Sequence, residues 1–135
     1  MKTRILVVND TQEILDMFQI LLQEEGYEVI LSSFPYQDGK VIEEVAPDLV
    51  ILDLVFGHEL LGWQMLQLLR MQRATAATPV IVCTAALKDV QEQEGYLISQ
   101  GVHIVYKPFD IDYLLNVIRK ALASYKKNIS QAEER

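Results

Sequence analysis

Residues 47–62 read Pro-Asp-Leu-Val-Ile-Leu-Asp-Leu-Val-Phe-Gly-His-Glu-Leu-Leu-Gly, and their interpretation decides the fold. Leu49-Val50-Ile51-Leu52 is an unbroken aliphatic run that ends in a carboxylate, Asp53. A short apolar run with Pro before it and Gly after it has the length and bounds of a strand buried on both faces. Asp53 then stands where that strand leaves its sheet. A carboxylate at so apolar a rim is costly to desolvate alone and calls for a counter-charge or a metal.

Working outward, four further aliphatic runs alternate with helical patterns. Ile5–Val8 precedes Asn9-Asp10-Thr11. A helix over 12–25 follows, with Ile14, Leu15, Phe18, Leu21 and Leu22 inward, Thr11 or Asp10 as its cap, and Gly26 as its stop. Glu28–Ser32 is a second strand. A short helix over 40–46 turns Val41, Ile42 and Val45 inward and ends at Pro47. Beyond the central stretch come a helix over 61–72, with Leu61, Met65, Leu68 and Leu69 on one face, and a strand over 80–84. A single helix over 88–100 closed by Gly101, a strand over 102–106, and a helix capped by Asp110 complete the chain. Lys126–Arg135 is polar and reads as frayed. Five strand–helix units with near-continuous apolar strands require a parallel sheet covered by helices on both faces. The chain is read as one domain over 1–125 with a short polar tail over 126–135 and no output domain.

Composition narrows the class. The 135 residues carry 12 basic and 19 acidic side chains, a formal charge of −7, which disfavours direct contact with nucleic acid phosphates. No apolar run approaches the roughly 20 residues of a membrane span, and the first residues lack a signal-peptide pattern, so a cytoplasmic location is expected. The one cysteine, Cys83, lies in an apolar run and reads as a buried inert thiol.

In an open parallel sheet, ligands bind beyond the carboxyl ends of the strands. The residues ending four of these strands are Asn9-Asp10, Asp53, Thr84 and Lys107. Singly, each has an ordinary structural explanation: a cap, a rim acid, a strand hydroxyl, a turn. Jointly they place two carboxylates, a hydroxyl and an ammonium on one edge. Clustered carboxylates repel unless a cation intervenes, and hard oxygen donors of this number suit Mg²⁺.

With those residues in order, the chain resembles the receiver domains of two-component response regulators over about residues 4–125. The motifs are Asn9-Asp10 after strand one, Asp53 after strand three, Thr84-Ala85 after strand four and Lys107-Pro108-Phe109 after strand five. The resemblance implies a flavodoxin-like (βα)5 α/β sandwich with strand order 2-1-3-4-5. It implies Asp53 as phosphoacceptor, and Mg²⁺ held by Asp10, Asp53 and the backbone carbonyl of Val55, with Asn9 as a further candidate. Thr84 and Lys107 would engage the phosphoryl group, and the Lys107–Pro108 peptide would be cis. The expected function is a single-domain response regulator in a two-component system or phosphorelay. A sensor histidine kinase or phosphotransfer protein would supply the phosphoryl group, and a downstream protein would read the result. The only enzymatic chemistry would be the domain's own phosphorylation and dephosphorylation.

Three departures from the family pattern are visible. Asn9 replaces a first acid, Gly62 falls one residue late after Asp53 in a loop that lacks the usual Pro and carries His58 and Glu59, and Ile104 stands where an aromatic switch residue is usual. Tyr106 occupies the same strand face as Ile104. These departures motivate the competing reading of a pseudo-receiver that binds partners independently of phosphate. Partner contacts are expected on the face of the fourth and last helices and the fifth strand, with Tyr96, Leu97, Tyr113 and Tyr125 as candidates. His103 and Trp63 read as structural. A flavin site would need N–H donors after strand one, where the chain is acidic and lacks Gly. A haloacid-type phosphohydrolase would need Asp where Val55 stands.

Overall fold

The computed structural model describes residues 2–54, 60–85 and 88–133, with 126–133 described as backbone only. Five parallel strands, β1 (Arg4–Val8), β2 (Glu28–Ser32), β3 (Leu49–Leu52), β4 (Val80–Ala85) and β5 (Val102–Lys107), form one sheet in the order β2-β1-β3-β4-β5. Each strand alternates its side chains between two apolar layers. Ile5, Val7, Leu49, Ile51, Ile81, Cys83 and Val105 pack on one side against α1 (Gln12–Glu24) and α6 (Ile111–Glu133). Leu6, Val8, Val50, Leu52, Val80, Val82 and Val102 pack on the other. Their cover is α2 (Gly39–Val45), α3 (Leu61–Met71), α4 (Lys88–Glu92) and α5 (Glu94–Ser99). This is the flavodoxin-like α/β arrangement that the strand pattern and the resemblance implied.

Helix ends follow local chemistry. The α1 terminus closes with Gly26 at φ +88, its N–H donating to Gln23 O while the Tyr27 N–H donates to Leu22 O. That pair of bonds needs a left-handed residue, which glycine supplies without strain. At the other end of α1, Thr11 is the cap residue by position but its side chain makes no capping bond. Asp38 caps α2 through the Lys40 N–H, and Asp110 caps α6 through the Asp112 N–H.

Four expectations change. The single helix over 88–100 is divided at Gln93, whose N–H bonds to both Asp89 O and Val90 O before α5 begins. In α2 only Ile42 is fully buried, and Val41 faces outward. Leu97 is core rather than contact surface, at 0% exposure. The frayed tail is instead helix to Glu133, because residues 126–133 contain neither Gly nor Pro and are mostly good helix formers.

Candidate functional site

Strand register builds the site. Val8 pairs with Leu52, and the Asp53 N–H donates to Val8 O at 3.3 Å, so Asp53 emerges level with Asn9. Leu52 pairs with Val82, Thr84 with Tyr106, and Ala85 with Lys107. The carboxyl rims of β1, β3, β4 and β5 therefore carry Asn9-Asp10, Asp53, Thr84 and Lys107 side by side. Lys107 reaches from β5 past β4 to Asp53, placing Nζ 3.5 Å from Oδ2. Adjacent strands are about 4.8 Å apart, so only a long side chain spans two of them.

The pair is sheltered, with side-chain exposures of 14% for Asp53 and 30% for Lys107. A contact of 3.5 Å is an ion pair, wider than a charge-assisted hydrogen bond of about 2.8 Å. Cys83 lies one layer deeper, and burial pushes its thiol up to about 12; the Lys107 ammonium opposes that shift and the Asp53 carboxylate adds to it. The thiol is buried, as the sequence implied.

Each remaining candidate has a definite place. Thr84 is buried at 3% exposure, at the end of β4. Asp10 is exposed and accepts from the Thr11 hydroxyl at 3.5 Å. Asn9 is buried at 3%. Its Oδ1 accepts the Thr11 N–H at 2.9 Å, and its own N–H donates to Ser32 O. Asn9 thus shapes the β1–α1 turn, and the oxygen it would offer a metal already holds a proton donor. Val55, His58 and Glu59 lie outside the described residues. The Lys107–Pro108 peptide is cis, as the resemblance implied.

Two neighbours of the site were not evident in the sequence. Gly62, at the start of α3, donates its N–H to Leu54 O. A Cβ at that position would stand 2.0 Å from Asp53 O and 2.5 Å from Leu54 Cα, so α3 is seated directly on the Asp53 backbone. The late position of this glycine in the sequence did not signal the contact. The Tyr106 hydroxyl donates to Glu94 Oε1 at 2.9 Å, joining β5 beside Thr84 to the first turn of α5. Its phenol is raised by desolvation and by that carboxylate.

A family model for the response regulator receiver domain matches residues 5–119. The chain belongs to the response regulator receiver family. Among curated receivers, the chain is 33% identical over 122 residues to the DNA-binding response regulator MtrA of Mycolicibacterium smegmatis, covering 90% of this chain and 51% of that protein. It is 31% identical over 119 residues to the DNA-binding dual master transcriptional regulator RpaA of Synechocystis, covering 88% of this chain and 48% of that one. The chain thus spans about half the length of these relatives. A CheY-like receiver domain structure from Methanospirillum hungatei superposes with a TM-score of 0.81 at 25% identity, covering 95% and 99% of the two chains. NtrX from Brucella abortus superposes at 0.82 and 29% identity, covering all of this chain and 30% of that one. Receivers are the phosphoacceptor signalling domains of two-component systems. Among the described residues no helix is long and apolar enough to cross a membrane.

Proposed function

We propose that Asp53 accepts a phosphoryl group from the phosphohistidine of a sensor histidine kinase or phosphotransfer protein, and that the receiver signals through altered protein contacts. The observation that carries this is the sheltered Asp53–Lys107 pair at 3.5 Å. An Asp53 carboxylate oxygen attacks phosphorus, the P–N bond to the donor imidazole breaks, and a mixed anhydride forms. Anion meets anion in that step, so fixed positive charge at the rim lowers the barrier. Lys107 supplies it within reach of Asp53. Thr84, on the adjacent strand, offers a hydroxyl to a phosphoryl oxygen.

Among the described residues no group of three or more His, Cys, Asp or Glu side chains could hold a metal. Mg²⁺ does not need one, since it keeps several waters and takes one or two carboxylates with a phosphate. Receiver domains bind Mg²⁺ at the phosphorylation site; Asp10 and Asp53, at the ends of adjacent strands, are carboxylates of the kind it takes, and the resemblance implies Val55 O as a third ligand. Asn9 Oδ1 already accepts the Thr11 N–H and has one lone pair left for a further contact. A cation held there would supply positive charge to offset that of the transferring group. Incubating the protein with Mg²⁺ and acetyl phosphate should add the mass of one phosphate, and Asp53→Asn or chelation should abolish the gain. Absence of any gain favours the second reading, a phosphate-independent binding module. The partly occupied Asn9 oxygen and the aliphatic Ile104 support that reading.

A further inference from the structure

Two cavities of about 460 and 550 Å³ run end to end between α3 and the α4–α5 pair and share Trp63, Gln67 and Tyr96 in their walls. They form one trough on the helical face away from α1 and α6. Its rim exposes large apolar groups: Leu60 at 58%, Tyr96 at 54% and Met71 at 82%. Its ends differ in charge. Asp89 and Glu92 line the α4 end. The Lys88–Glu92 contact there is 3.9 Å long between side chains 87% and 58% exposed, so the pair is weak and readily exchanged for another cation. At the other end, Arg70 is turned onto backbone carbonyls, donating to Gln100 O and Thr78 O at 2.8 Å each.

We propose that this trough docks a basic amphipathic helical segment of a partner protein, whose arginine or lysine enters the end walled by Trp63, Tyr96, Asp89 and Glu92. An aromatic face attracts a cation, indole most strongly, and a flanking carboxylate completes the match. The apolar walls and the exposed Leu60 and Met71 fit the leucine-type anchors of a helix laid in a groove. A net charge of −7 steers basic partners toward the surface. The site is separate from Asp53, so the proposal stands whether or not the domain is phosphorylated.

Trp63 is the chain's only tryptophan, which makes its emission a direct reporter. The unphosphorylated protein is titrated with a capped helical peptide of leucine, alanine and arginine, leucines at helical spacing. A saturable change in Trp63 emission is expected. Asp89→Lys with Glu92→Lys should weaken binding roughly tenfold or more, since both acids face the guanidinium. Glu43→Lys with Glu44→Lys, on the exposed side of α2, should leave affinity unchanged. The substituted positions are on the surface, and circular dichroism confirms folding before titration. The proposal is overturned if no saturable change occurs, or if a glutamate-for-arginine peptide binds equally well. It is also overturned if the two double variants lose affinity alike, which marks general charge attraction. Equal binding of arginine amide alone would mark a small-cation pocket and overturn it too.

Discussion

The two rims of the sheet both carry charge clusters, yet they are built to opposite ends. At the amino rim, the Arg4 N–H bonds to Asp48 Oδ2 at 2.8 Å, its Nε meets Glu28 Oε2 at 3.2 Å, and Nη1 donates to Val45 O at the end of α2. These contacts have hydrogen-bond length and tie three elements together. At the carboxyl rim, Lys107 and Asp53 stand 3.5 Å apart and more deeply sheltered. Topology explains the contrast. Helices end at the amino rim, where their last carbonyls favour cations such as Arg4, and Arg70 meets Gln100 O in the same way after α5. Helices begin at the carboxyl rim, where free N–H groups favour anions. The same fold places hydrogen-bonded charge staples at one edge and helix N-termini at the other.

Lys107→Met tests the carboxyl rim most severely. Phosphate uptake from acetyl phosphate, followed by intact mass over time, should slow on the order of a hundredfold while the urea midpoint barely moves. A rate equal to the parent would show that the pair is only another staple. Arg4→Met should do the reverse. Losing a charged hydrogen bond to a helix end and a half-exposed ion pair should lower stability by about 2 kcal/mol in urea, with uptake unchanged. A slowed uptake at full stability would erase the distinction between the rims.

The smallest effect belongs to Cys83, which lies under the carboxyl rim. Its folded value is raised from 9.0 to about 12, so its contribution is complete below about 9 and declines as pH climbs from there toward 12. Cys83→Ala should flatten that alkaline part of the urea stability profile. The native thiol should resist iodoacetamide near neutral pH and react once unfolded. Prompt alkylation of the folded protein would contradict the burial.

Much of this was legible beforehand because strand periodicity and strand ends are local properties. Leu49–Leu52 announces a buried strand, and the terminal residues Asp10, Asp53, Thr84 and Lys107 need only a parallel sheet to become neighbours. Helix continuity was less legible. The break at Gln93 and the extension through 126–133 involve residues whose propensities permit either outcome.

Neighbouring positions alone carried the alternation of strands and helices and the placing of Asp53 and Lys107 at strand ends, since hydrophobic period and residue chemistry are local. Tertiary structure alone decided that Asn9 serves the β1–α1 turn, that Gly62 rests on the Asp53 backbone, and that Tyr106 bonds to Glu94 rather than standing free. Those contacts join residues whose meeting depends on strand register and loop path, which no local pattern records.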